Sequence, residues 1–207
     1  GDADARIVSG IALEAAGRQA EALERGLRFR ELDPLSAMAG ILVGSGYWFL
    51  GRPEEGLEAL EFAFTIDPDN PILRSTLGYT HALLGQTGPA RAQADWMIAA
   101  VPAMPNTTHL SALVLAMDGR HDEAIAALNT LASMTFDAHL TVRLAEAFAL
   151  AREAGTAIRL LADAVERGFH PHPFIATHCP LLAPLRGAPA FERVAARAAE
   201  RVAAFRV

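Results

Sequence analysis

The sequence predicts an all-α fold: about five helical hairpins in a row, closed by a C-terminal helix. Three observations predict it. Hydrophobic residues make up 52% of the 207-residue chain, and Ala and Leu dominate them while aromatics reach only 7%, so helix formers outweigh strand formers. An apolar-Asp-Pro step occurs in ELDPLSA (31–37) and again 34 residues later in TIDPDNP (65–71). Glycines stand at the same interval, at Gly17, Gly51, Gly85 and Gly119.

Windows of that length begin at Ala3, Ala37, Pro71 and Pro105, and a shortened fifth unit covers 138–168. Each comb glycine falls just past a helix, where a left-handed residue closes the last turn. Two further positions are always small: Gly10, Gly44, Gly78 and Ala112, then Ala22, Gly56, Ala90 and Ala124. Small residues there let the two helices of a hairpin approach closely. Pro34, Pro68 and Pro102 end the second helix of their windows, and Phe136 breaks that series. The expected helices are 3–16, 18–32, 36–50, 53–66, 72–84, 88–100, 107–118, 121–134, 138–152 and 156–167. Ser36, Asn106, Asp137 and Thr156 are expected N-caps, and Pro53 with Glu54 and Glu55 opens a helix as the dipole favours.

Beyond Gly168 the period stops. The proline-rich stretch 169–188 reads as a loop with short turns, and 189–206 as a last helix. Phe191, Val194, Ala195, Ala198, Val202 and Phe205 form its apolar face; Arg193, Arg197 and Arg201 stand four apart on another. A solenoid needs such an element to cover its last repeat.

Composition excludes several chemistries. All 18 basic residues are arginine, so there is no P-loop, Schiff-base or kinase lysine. The net charge of −6 makes nucleic acid an unexpected partner. Cys179 is the single cysteine, which allows no intrachain disulfide and fits a reducing, cytoplasmic setting. The chain starts at Gly1 rather than Met and is expected to be a fragment or processed chain. Residues 35–50, LSAMAGILVGSGYWFL, are uncharged but fall short of the roughly 20 residues of a membrane span, so a buried helix is expected.

The comb resembles the tetratricopeptide repeat, a helix–turn–helix unit of 34 residues. The resemblance rests on Gly10, Gly17, Ala22 and Pro34; on Gly44, Tyr47, Gly51, Ala63 and Pro68; and on Leu77, Gly78, Gly85, Ala90 and Pro102. Gly119, Ala124 and Leu128 continue it, as do Leu144, Ala145, Phe148, Ala157 and Ala164. It implies a right-handed α-solenoid over 3–168, divided at 3–36, 37–70, 71–104, 105–137 and 138–168. The tail is similar to the ends of tetratricopeptide regions at the C-terminus of bacterial Ser/Thr kinases, adenylate cyclases and winged-helix regulators. It carries Gly168-Phe169, Pro180-Leu181-Leu182-Ala183-Pro184-Leu185-Arg186 and Pro189-Ala190-Phe191, with Cys179 where an acid is usual. This likeness implies an accessory scaffold or regulatory module in signalling or transcription control, without catalysis or cofactor.

In this family the first helix of each repeat lines a concave groove. Carried over, the groove holds Met38, Ile41, Ser45, Trp48, Phe49, Ile72, Ser75, Tyr79, Leu83, Asn106, His109, Leu113 and Met117. It is apolar and aromatic, which suits an apolar peptide or helix of a partner protein. Members that grip a peptide carboxylate use basic and amide groups there; Asn106 and His109 are the nearest equivalents, so no such clamp is expected. The alternative is a homodimer, with Trp96 as a convex contact. A third reading places a metal or thiol site at His170, His172, His178 and Cys179, where zinc-ligand residue types cluster without paired spacing.

Overall fold

The structure, a computed structural model, describes residues 2–132 and 137–204, with side chains described for 8–131 and 137–204. Helices pack in consecutive pairs: α1 (Asp2–Ala15) with α2 (Gln19–Leu32), α3 (Ala37–Phe49) with α4 (Pro53–Ile66), and α5 (Pro71–Leu83) with α6 (Thr87–Ala100). Then come α7 (Pro105–Met117) with α8 (His121–Ala132), and α9 (Ala138–Leu150) with α10 (Ala154–Glu166). The first helices, α1, α3, α5, α7 and α9, also touch in series and face the superhelix axis. No helix among the described residues is long and apolar enough to cross a membrane. The uncharged stretch 35–50 forms α3, buried over most of its length. Phe136 and Phe205 lie outside the described residues.

The small residues act as expected. A Cβ on Gly56 would lie 2.8 Å from the Gly44 carbonyl oxygen, and one on Gly44 would lie 2.7 Å from Leu60 Cγ. Backbone therefore meets backbone between α3 and α4. The four comb glycines have φ between 69° and 80°. The fifth corner is Arg152, at φ 66°. An L-residue bears about 1 kcal/mol of strain in that conformation.

Ser36 and Asp137 cap α3 and α9, accepting from the N–H groups of Ala39 and Leu140. Two expected caps differ. Pro105 opens α7 with Met104 at its N-cap, and Asn106 turns instead to donate to Ser75 Oγ at 3.2 Å. Thr156 lies inside α10, whose N-cap is Glu153. Asn70 caps α5 by accepting from Ile72 and Leu73.

The tail differs most from expectation. It contains a π-helical turn, Phe174–His178, and a 3-10 segment, Pro180–Leu185, and its large side chains are core. Phe169, Phe174, Ile175, Cys179, Leu181, Leu182 and Leu185 are all buried. Arg186 binds the turn together, donating from Nη2 to the carbonyls of Thr177 and Cys179 at 2.6 and 2.8 Å. The final helix, α11 (Pro189–Ala204), buries Phe191, Val194, Ala195 and Ala198 and packs on α10. Its Arg197 and Arg201 pair with Glu166 of α10.

This tail reaches the corners of the first two hairpins. The His170 N–H donates to the Ala15 carbonyl at 2.9 Å. Phe169 and Phe174 set their ring edges against Phe49, at centroid distances of 5.9 and 4.9 Å. Val202 covers Gly17, and the His178 ring rests on Gly51, while Gly85 and Gly119 have nothing near them. Gly85→Ala should therefore lose about 1 kcal/mol from backbone strain alone. Gly51→Ala should lose clearly more, because its methyl would lie 2.9 Å from His178 Cγ. Urea unfolding of both variants checks this, and equal losses would mean that the tail does not press on the second corner.

Candidate functional site

The axis-facing helices wind tightly. Phe49 of α3 lies 6.0 Å from His139 of α9, ring to ring, and Tyr79 of α5 donates to Glu146 Oε2 of α9 at 2.7 Å. The inward-facing residues divide accordingly. Ser45, Trp48, Phe49, Tyr79, Leu83, His109 and Leu113 are buried; Met38, Ile41, Asn106 and Met117 are half-buried. Trp48 sets its edge on Tyr79 at 5.0 Å, and Phe49 joins the aromatic cluster of the tail. Trp48, Phe49, Tyr79, Leu83 and Leu113 thus belong to the core cluster.

Between these first helices lies a half-open cavity of about 240 Å³. Ile11 and Glu14 of α1, Met38, Ile41, Leu42, Ser45 and Trp48 of α3, and Ile72 and Thr76 of α5 line it, with Asn106 of α7 and His139 and Arg143 of α9. The structure thus brings together Met38, Ile41, Ser45, Trp48, Ile72 and Asn106 from the expected set.

The polar groups near the axis are linked from helix to helix. Ser45 donates to Glu14 Oε1 at 2.6 Å. Glu146 accepts from Tyr79 on one oxygen, and from the Cys179 thiol at 3.5 Å on the other. His109 Nε2 donates to the Arg143 carbonyl at 3.0 Å. The Arg143 guanidinium lies over the Tyr79 ring, 4.0 Å from its centroid. Burial raises both carboxyls, Glu14 and Glu146, to about 7, against the hydrogen bonds from Ser45 and Tyr79, which lower them. Burial, and then the nearby Arg143 charge, push His109 down to about 3 and His139 to about 4, so both rings are neutral.

His170, His178 and Cys179 serve separate contacts, and His172 is half-buried. His170 is buried against the first hairpin, His178 stands beside Gly51 with Nδ1 3.3 Å from the Phe49 carbonyl, and Cys179 is fully buried. Burial, with the Glu146 charge next, raises the Cys179 thiol well above its usual range, so it stays protonated and is no nucleophile. Among the described residues no three His, Cys, Asp or Glu side chains gather to hold a metal ion. Trp96 is half-buried, with Arg74 stacked on its ring at 4.3 Å.

Sequence reasoning passed over Arg143, Glu146 and Glu14. A signal existed: TVRLAEAFAL (141–150) places two charges three residues apart inside an otherwise apolar first helix.

No family model matches the chain, and no curated protein does. Solved structures do. A tetratricopeptide protein of Thermus thermophilus, TTC0263, is 19% identical, with 97% of this chain and 98% of that one covered at a TM-score of 0.64. A tetratricopeptide repeat protein of Parabacteroides merdae is 16% identical, with 96% and 76% covered at 0.57. In the APC/C hetero-tetramer Cut9-Hcn1, a 16% identical chain covers 93% of this one, with 42% of its own length matched at 0.60. At these identities the likeness establishes the fold: the right-handed α-solenoid of tetratricopeptide-repeat proteins.

The raised carboxyls make a pH prediction. Glu146 holds its proton to about pH 7 when folded but only to about 4.5 when unfolded. Between those values the folded state binds more protons, so this group's contribution to stability falls as pH rises. Glu146→Gln removes the effect while keeping an acceptor for Tyr79. The variant should match the wild type at about pH 5 and exceed it by up to about 3 kcal/mol at about pH 8. Urea unfolding at both pH values tests this; a constant difference would uncouple Glu146 from the fold.

Proposed function

We propose that the chain is a non-catalytic protein-interaction module that buries an apolar segment of a partner across the mouth of the axial cavity. One observation carries this reading. On an inner face otherwise consumed by packing, Ile11 and Ile72 remain 44% and 38% exposed, beside half-buried Met38 and Ile41. A solvent-facing apolar rim of this kind gains free energy when a partner covers it. The Cut9-Hcn1 assembly supports the reading by analogy, since there the same fold sits in a hetero-tetramer. The likeness of the tail to bacterial signalling and transcription-control proteins supports a regulatory accessory role without a cofactor.

Self-association is the second reading, favoured by Ile98, which is 51% exposed two residues from Trp96 on α6. Light scattering across concentration separates the two, because a receptor stays monomeric.

The double variant Ile11→Glu/Ile72→Glu should keep its helicity, since both residues are solvent-facing, and lose its partner. Affinity capture from the source cells with mass spectrometry checks this. Identical captured sets for variant and wild type would overturn the rim as the docking surface.

A further inference from the structure

The two buried carboxyls of the axis are not equally satisfied. Glu146 is bonded on both oxygens, by Tyr79 and by the Cys179 thiol. Glu14, only 3% exposed in the last turn of α1, is bonded on one: Oε1 accepts from Ser45 at 2.6 Å. Its Oε2 has no hydrogen-bond partner among the described residues. Unlike the enclosed Nε and Nη2 of Arg143, this oxygen keeps accessible surface, and Glu14 stands in the wall of the axial cavity. No cation offsets it either: burial raises the carboxyl, and only the Ser45 hydrogen bond opposes that. A buried carboxyl with one free oxygen and no countercharge is rare, because buried polar groups are normally paired.

Around Glu14 the wall is largely apolar, from Ile11, Met38, Ile41, Trp48 and Ile72. Two polar residues of the wall donate elsewhere, Thr76 to the Ile72 carbonyl at 2.7 Å and Asn106 to Ser75 Oγ at 3.2 Å. A cavity of roughly 150 Å³ takes up benzene, so about 240 Å³ holds a ligand on the order of ten heavy atoms. We propose that this cavity binds a small primary amine with an apolar body, its ammonium placed on Glu14 Oε2. The ammonium supplies the missing countercharge, and its charge-assisted hydrogen bond is roughly twice as strong as a neutral one. The other titratable or charged groups in the wall, His139 and Arg143, both come from α9. His139 is neutral. The Arg143 guanidinium lies over the Tyr79 ring; its charge pushes down His109 and His139 but has no part in the shift of Glu14, so it stands apart from the ammonium position. Behind Glu14, Gln19 of α2 donates to the Glu14 carbonyl, and the tail brings His170, whose ring burial pushes down, to the Ala15 carbonyl. The site is independent of partner docking on the rim, because the amine binds the chain alone.

Calorimetric titration of the purified chain with phenethylamine, phenethyl alcohol and phenylacetate tests the proposal. At about pH 8 the amine should bind saturably and about tenfold or more tightly than the alcohol. Glu14 must give up its proton to pair with the ammonium, so the amine should bind about tenfold more weakly at about pH 6, while the alcohol changes little. Glu14→Gln, which keeps an acceptor for Ser45, should lose both the preference and its pH dependence. Ile41→Trp, which fills the cavity without touching its charge, should weaken both ligands. If either variant fails to fold by circular dichroism, the headgroup and pH comparisons on the native chain decide. Equal binding of the alcohol, tighter binding of phenylacetate, no saturable binding of the amine, an amine affinity that ignores pH, or one unchanged in either folded variant would overturn the site.

Discussion

The contact between the tail and the first two hairpins governs the rest of this structure. In an open solenoid each repeat touches only its neighbours. Here Phe169 and Phe174 reach Phe49, and His170 is bonded to Ala15, so the last segment of the chain holds the first. Burying each of these phenylalanines contributes about 1.5–3 kcal/mol, enough to hold the superhelix tight. Once it is tight, α3 and α5 both meet α9, and much of what would have been a trough becomes core beside the cavity of about 240 Å³.

The polar residues on the axis depend on that winding. Tyr79 contacts Trp48, Glu146 and Arg143, which come from α3 and α9. In a looser superhelix the Glu146 carboxyl would lose both Tyr79 and the tail thiol. These groups are costly to bury, and each partnership spans hairpins and not neighbouring residues. They stabilise one curvature of the array in preference to others.

The sequence was legible wherever a local requirement shaped a residue. The corners need a positive φ, so glycine marks four of them; the fifth is Arg152, whose identity gives no sign of its conformation. Close backbone approach between α3 and α4 needs Gly44 and Gly56, and the comb shows both. Helical register also showed which residues point inward. It could not show whether inward means groove or core, because that depends on curvature. Curvature here is set by Phe49 meeting residues more than a hundred positions away. The prolines of the tail read as loop because they interrupt α-helix, yet Pro180 opens a 3-10 segment whose leucines are core. Arg143 was missed for a related reason: its spacing to Glu146 looks like an ordinary surface pair until Tyr79 is seen to take the glutamate.

The seam between tail and first hairpin also bears on how such a gene can change. Helical arrays commonly lengthen or shorten by duplicating or deleting one unit, since every junction is alike. In this chain the closing segment must land on Ala15 and Gly17 at one end and Gly51 beside it. Adding or removing a hairpin would carry it a full step past those landing points. The number of units is thus tied to the curvature of this array.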